Sequence, residues 1–217
     1  MTPASRITFY HAPNSRSGGT LSLLEELGCD YDLHLLNLQT GTQRQPEYLK
    51  INPMGKVPAI RHGDALVTEQ VAVMLYLADL YSEAGLAPPV GDVDRGPYLR
   101  WMVYYASCFE PAVIDRAQQR EPAPSVQSPY GTFDDMLQIL TDRLWQNQWL
   151  LGDRFSAADV LWGCALKWTI GFKLVPELPP LRAYVDRVYA RPAMQRAAEM
   201  DDELAARQGQ AAAKATA

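Results

Sequence analysis

Along residues 6–81 the pattern of apolar and polar positions switches repeatedly between a period of two and a period near 3.6, as strands give way to helices. Arg6-Ile7-Thr8-Phe9-Tyr10 is short, β-branched and aromatic, and it stops at His11-Ala12-Pro13-Asn14, so it reads as a strand ending in a loop. Ser15 to Leu27 then places Leu21, Leu24 and Leu27 at helical spacing, and Gly28 closes that helix. In Tyr31 to Leu36 the residues Tyr31, Leu33 and Leu35 alternate with Asp32 and His34, predicting a second strand parallel to the first through a right-handed crossover. Gln39 to Arg44 is a polar loop and Pro46 to Leu49 a short helical turn. Val57 to Arg61 and Ala65 to Val67 flank His62-Gly63-Asp64 as a hairpin. Thr68 is the expected N-cap of a helix over Glu69 to Tyr81, with Val71, Leu75 and Ala78 on one face. The predicted order is β-α-β followed by β-β-α, an α/β domain.

The pattern changes where Gly85, Pro88, Pro89, Gly91, Gly96 and Pro97 cluster, which predicts a linker over 84–97. Beyond it only helical spacing recurs, at Tyr98 to Arg120, Tyr130 to Leu150, Ser156 to Ile170, Leu181 to Tyr189 and Pro192 to Leu204. Three prolines between Glu121 and Pro129 separate the first two of these helices. The expected organisation is an α/β domain over 1–83 and an all-α bundle over 98–207. The Ala-rich tail 208–217, lacking an aliphatic anchor, is expected to fray. Ser156-Ala157-Ala158-Asp159 spells a capping box, which a helix start explains without chemistry.

With 217 residues, 47% of them hydrophobic and 21% charged, the chain has the balance of a soluble globular protein. A net charge of -5 offers no basic footprint for a phosphate backbone, so nucleic acid is not an expected partner. No apolar run approaches the ~18 residues of a membrane span, and no segment of signal-peptide length follows Met1 to Arg6; the expected location is cytoplasmic. Cys29, Cys108 and Cys164 are odd in number and form no C-x-x-C, which argues against disulfides or a redox centre, and Cys29 and Cys164 are expected as small buried hydrophobes. His11, His34 and His62 show no ligand spacing, so no metal site is expected. G-x-S-x-G, G-x-G-x-x-G and phosphate-loop motifs are absent from the sequence.

Three segments carry candidate chemistry. In Asn52-Pro53-Met54-Gly55-Lys56-Val57-Pro58, a proline opening a strand either merely starts an edge strand or forms a cis Val57-Pro58 bond that turns the Val57 backbone outward, where an extended peptide can pair with it. At Thr68-Glu69-Gln70 a strand runs into a helix, and the amides of Glu69 and Gln70 with the helix dipole suit a carboxylate. Glu69 either holds an ammonium group or simply favours a helix first turn. In His11 to Thr20 the hydroxyl of Ser15 either caps the helix or donates to a thiolate and favours its charged form, with Ser17 the second candidate for either role.

These segments in this order, followed by a proline-rich linker and helices carrying Phe155-Ser156-x-x-Asp159, resemble the cytosolic glutathione transferase family over about residues 6–205. The combination of Asn52-Pro53-x-Gly55-Lys56-Val57-Pro58 with Thr68-Glu69 is the specific part. The resemblance implies a thioredoxin-like N-terminal domain, a helical C-terminal domain, a homodimer and glutathione as co-substrate. It assigns the Val57 backbone to the cysteinyl part of glutathione, with Pro58 as the cis proline. Glu69 and Gln70 go to the γ-glutamyl end, Lys56 to the glycyl carboxylate, and Ser15 to the thiolate as in the serine-using classes. Gln70 departs from the family's usual serine, and Arg16 stands where the beta class has cysteine, against cysteine-type chemistry. The loop also lacks the serine-serine-cysteine-serine run of the zeta class. The reading is an enzyme that presents the glutathione thiolate to a small hydrophobic electrophile, selected by Tyr104, Tyr105, Cys108, Phe109 and Trp168. Reduction, isomerisation or dehalogenation at the same thiol site, and a non-catalytic binding or regulatory protein on the same fold, are the alternatives.

Overall fold

A computed structural model describes residues 6–121 and 123–215. The expected absence of a leader before Arg6, one of the three interrupting prolines (Pro122) and the last two residues of the tail lie outside the described residues. In chain order the elements are β1 (Ile7–His11), α1 (Ser17–Leu27), β2 (Tyr31–Leu35), α2 (Pro46–Leu49), β3 (Ala59–His62), β4 (Ala65–Thr68) and α3 (Gln70–Leu80). There follow α4 (Arg95–Tyr104), α5 (Glu110–Ala117), α6 (Phe133–Gln146), α7 (Ala157–Gly171), α8 (Pro179–Tyr189) and α9 (Pro192–Ala215). The chain divides into two units, Met1–Ala84 with Pro192–Ala217, and Gly85–Arg191.

The first unit is a thioredoxin-like four-stranded sheet in the order β2-β1-β3-β4, with β2 parallel to β1 and the hairpin partners β3 and β4 antiparallel. Ile7, Phe9 and Ile60 are fully buried beneath α1 and α3, which contribute Leu21, Leu24, Val73, Met74 and Leu77. Strand β2 forms one edge, so its alternating Leu33 and Leu35 stay partly exposed instead of entering the core. Strand β3 begins at Ala59 and not at Val57, because Pro58 has no amide to give a ladder. Thr68 ends β4, and the residue at the N-cap of α3 is Glu69, not the expected Thr68.

The last helix departs most from expectation. Instead of ending at Leu204 within the bundle, α9 runs to Ala215 and groups with the first unit, where Met194 and Ala197 are buried and Arg196 pairs with Glu25 of α1. Gln208, expected in a frayed tail, donates from Nε2 to the Leu36 carbonyl at 3.0 Å. Alanine, the best helix former, sustains a run that has few apolar anchors.

In the second unit α4 starts at Arg95, inside the expected linker, and the predicted helix 98–120 is broken by a π-helical turn over Tyr105–Phe109. Pro111 sits at the start of α5, where its ring would crowd the carbonyl four residues back; a widened turn there removes the conflict. Helix α6 starts at Phe133 with Thr132 accepting from the Asp135 amide at 3.0 Å. Trp162 is the centre of this unit: its indole donates to the Trp101 carbonyl, and the rings of Trp101, Tyr105 and Phe109 pack around it at 4.9–5.9 Å. Gly163 lets α8 approach α7, since a Cβ there would lie 2.5 Å from Val188 Cγ1.

At the start of α7 the fully buried Asp159 carboxylate accepts from the Leu150 amide (2.9 Å), the Ser156 amide (2.9 Å), the Ser156 hydroxyl (3.1 Å) and the Tyr184 hydroxyl (2.9 Å). Burial outweighs these four donors and pushes the carboxyl up to about 6. The folded state therefore holds more protons than the unfolded state between pH 4 and 6, so this group's contribution to stability falls as pH rises through that window. In Asp159→Asn the advantage of the wild type over the variant is expected to be about 2 kcal/mol greater at pH 4 than at pH 6.5, read from denaturant midpoints at the two pH values. Gly163→Ala is expected to cost about 1–3 kcal/mol, with Val188→Ala restoring part of it in the double variant.

Candidate active site

The sheet register gathers three loops at one edge. His11, the last residue of β1, lies opposite Leu35; Tyr10 pairs with Ala59, the first residue of β3; and Ala59 pairs with Thr68, the last residue of β4. The residues one step beyond these pairs, His11, Pro58 and Glu69, leave the sheet side by side.

The loop entering β3 is held from beneath. The Val57-Pro58 bond is cis. The carbonyl of Lys56 accepts from the Tyr48 hydroxyl at 2.6 Å and from Asn52 Nδ2 at 2.9 Å. Burial pushes the Tyr48 hydroxyl far up, so it remains a donor at any physiological pH. Gly55 has φ 59°, and a Cβ there would meet the Gln43 carbonyl at 2.9 Å, so only glycine fits. The Val57 side chain packs on Tyr10, Ala12, Tyr48 and Ala59, while Lys56 is exposed and Pro58 buried.

Glu69 is exposed and takes φ 67°, ψ 122°, a left-handed conformation that costs a non-glycine residue about 1–3 kcal/mol. It ends β4 and begins α3 within one residue, so the first amides of the helix face the same edge as Pro58. Gln70 Nε2 donates to the Arg16 carbonyl at 2.8 Å, tying the start of α3 to the start of α1. The side chain that replaces the family's serine thus bridges two helix starts.

The loop between β1 and α1 holds the hydroxyls. Helix α1 begins at Ser17, with Arg16 at the N-cap position and no cap bond from its side chain; the hydroxyl that meets the first amide of the helix is that of Ser15. Ser15 Oγ donates to the Ala12 carbonyl at 2.7 Å, accepts from the Ser17 amide at 3.2 Å and lies 2.7 Å from Ser17 Oγ. Ser15 is partly exposed; Ser17 is wholly buried, its hydroxyl within 2.8 Å of His11 Nδ1 and accepting from the Ala12 amide at 3.1 Å. His11 is also fully buried, with Nε2 2.9 Å from Oδ1 of Asp201 on α9. Neither residue was singled out from the sequence: His11 has no ligand spacing, and Asp201 comes 190 residues later.

The five expected selectivity residues all belong to the second unit. Tyr105 and Phe109 are core residues there, 3% and 0% exposed with their rings against Trp162, so they do not face a ligand; this corrects their assignment to a pocket wall. Tyr104 and Cys108 are half-buried, one turn apart, with the Tyr104 hydroxyl donating to the Met136 carbonyl. Trp168 is half-buried and meets exposed Phe172 edge-on. Cys29 and Cys164 are likewise half-buried and not enclosed, and among the described residues none of the three cysteines is in a disulfide. Among the described residues no group of three or more His, Cys, Asp or Glu side chains is placed to hold a metal ion, and no helix is long and apolar enough to cross a membrane.

Two family profiles match the chain: Glutathione S-transferase, N-terminal domain, over residues 5–79, and Glutathione S-transferase, C-terminal domain, over residues 104–192. Among curated proteins the chain is 29% identical to Glutathione S-transferase GstA of Escherichia coli O157:H7, covering 86% of this chain and 94% of the relative. It is 28% identical to the Disulfide-bond oxidoreductase YfcG of Escherichia coli K12, covering 91% and 98%. A crystal structure of a glutathione transferase from Methylococcus capsulatus superposes with a TM-score of 0.76 at 32% identity, covering 90% and 98% of the two chains. The fold, the cis proline loop, the strained glutamate and these likenesses agree: the chain belongs to the glutathione transferase family.

Proposed function

We propose that this protein binds glutathione along the sheet edge and uses its thiolate to attack a small hydrophobic electrophile. The observation that carries this reading is the meeting of three features at one edge: the Ser15 loop, the Val57-Pro58 turn and the Glu69-Gln70 helix start. The Val57 backbone pairs with the cysteinyl residue, Glu69 receives the γ-glutamyl ammonium, the Gln70 amide receives its carboxylate, and Lys56 reaches the glycyl carboxylate. Ser15, with exposed surface, serves the sulfur; Ser17, with none, supports Ser15 from behind.

A free thiol with a pKa near about 8.5 is only a few per cent ionised at neutral pH. Ser15 turns its hydroxyl proton from the Ala12 carbonyl to the sulfur, and that charge-assisted hydrogen bond favours the thiolate. The sulfur lone pair then forms a C–S bond while the leaving group departs with its bonding electrons, or the electrons move onto an acceptor that is protonated from solvent. Tyr104, Cys108 and Trp168 are the proposed contacts of the electrophile, and the working form is a cytoplasmic homodimer. A second reading, glutathione-dependent disulfide reduction, draws on the 28% likeness to a relative named as a disulfide-bond oxidoreductase. There the same thiolate attacks a disulfide sulfur, forming a mixed disulfide with glutathione as the other sulfur leaves as a thiolate with the electrons of the broken S–S bond.

Retention on immobilised glutathione with turnover of an aryl halide is expected. Turnover of a mixed disulfide alone would favour the second reading, and retention without either reaction a non-catalytic protein. Ser15→Ala should raise the pKa of bound glutathione by about 1 to 2, followed by thiolate absorbance during pH titration. Glu69→Gln should weaken glutathione binding about tenfold, measured by calorimetry, with the melting temperature preserved because Glu69 is exposed.

A further inference from the structure

We propose that Asp201, through His11, is a positioning residue that sets whether the Ser15 hydroxyl proton is drawn back toward Ser17 or is free to turn to the glutathione sulfur. This rests on the reading of Ser15 given above and adds a part of the machinery supplied from the far end of the chain. Helix α9 carries Asp201 to the loop between β1 and α1, where Oδ2 accepts from the Asn14 amide at 2.9 Å and Oδ1 stands 2.9 Å from His11 Nε2. That second contact is bent away from a straight hydrogen bond, yet neither His11 Nε2 nor Asp201 Oδ1 has another hydrogen-bonding partner among the described residues. A buried polar atom without a partner is costly, so each atom answers the other.

The proton positions follow from the partners. A carboxylate only accepts, so the ring proton of His11 belongs on Nε2, and Nδ1 of the neutral ring is left as an acceptor. Ser17 Oγ, 2.8 Å from Nδ1 and already accepting from the Ala12 amide, donates to that nitrogen. Its alternative acceptor, the Ala12 carbonyl, is more distant at 3.1 Å and is already served by Ser15 at 2.7 Å. The single proton of Ser17 is thereby committed inward. Ser15 keeps the only hydroxyl proton of the pair that can be redirected, and Ser17 Oγ, 2.7 Å behind it with its own proton committed elsewhere, competes with the sulfur as an acceptor for that proton. Asp201 also holds the Asn14 amide, one residue before Ser15, so the same carboxylate sets both the backbone of the loop and the direction of its hydroxyls.

The test is Asp201→Asn in the full-length protein. An asparagine can still accept from the Asn14 amide while its NH2 faces Nε2, which moves the ring proton to Nδ1 and turns the Ser17 proton toward Ser15. With Ser17 donating to it, Ser15 keeps its own proton for the sulfur, so the thiol of bound glutathione should titrate about one pH unit lower, about tenfold more thiolate at a given pH below that pKa, with KM for glutathione preserved and kcat not reduced. The same substitution in a Ser15→Ala background should produce no shift, because the effect passes through that hydroxyl; a merely structural defect would raise the pKa in place of lowering it. Asp201→Glu, which keeps a carboxylate and guards against a folding defect in the amide variant, should titrate like the wild type. The inference is overturned if Ser15→Ala raises the thiol pKa and Asp201→Asn does not lower it, if Asp201→Asn still shifts the pKa in the Ser15→Ala background, or if Asp201→Glu folds but titrates unlike the wild type. No shift in Ser15→Ala itself overturns the proposed function, and this inference with it.

Discussion

A strand with a parallel neighbour on one side and an antiparallel neighbour on the other ends where the first neighbour ends and the second begins. Strand β1 is in that position, between β2 and β3, and β4 then runs back antiparallel to β3. The chain thus leaves β1, enters β3 and leaves β4 at one edge of the sheet. Backbone hydrogen bonds hold this arrangement, and so does the complete burial of Ile7, Phe9 and Ile60. A slip of one residue would turn that apolar set to the opposite face, so the register that protects the core also fixes His11, Pro58 and Glu69 in a row.

Around that edge the backbone adopts left-handed conformations for two different reasons. At Gly55 the neighbouring Gln43 carbonyl leaves no space for a side chain, and glycine meets the need without strain. At Glu69 there is a side chain despite the strain, where a glycine would fit the dihedrals better. A residue kept in an unfavourable conformation at a sheet edge, with its carboxylate exposed, supports the ligand-holding role proposed for Glu69. Asp159 is the opposite case: it is buried, surrounded by four donors and raised by desolvation, and its work is to fix the start of α7.

Much of the first unit was legible because its signals are local. The strand periodicities, the Gly63-Asp64 turn and the Pro58 and Glu69 segments each declare themselves within a few residues, and each stands within two residues of its expected place. Errors arose where a neighbour distant in sequence decides the outcome. Thr68 has the chemistry of an N-cap, but pairing with Ala59 keeps it in the sheet. The π-helical turn was missed although Pro111 announces it, and the Thr132-to-Asp135 cap was missed although its spacing matches that of Ser156 and Asp159. Tyr105 and Phe109 were read as ligand-facing because aromatic residues suit both a pocket and a core, and only the position of Trp162 decides between them. The His11 and Asp201 contact has no local signature at all, since nothing in the spacing of α9 indicates the unit against which it packs.

The return of α9 makes the first unit discontinuous in sequence: residues 85–191 are in effect an insertion between its sheet and its final helix. During synthesis, β1 to α3 emerge long before the helix that supplies Met194, Ala197 and Asp201, so the nascent sheet waits more than a hundred residues for its last covering layer. Closing so long a loop costs only modestly more than closing a short one, because the cost grows with the logarithm of loop length. A ribosome stalled before Asp201 would therefore hold a chain whose four strands have all emerged while the loop between β1 and α1 still lacks its Asp201 contacts.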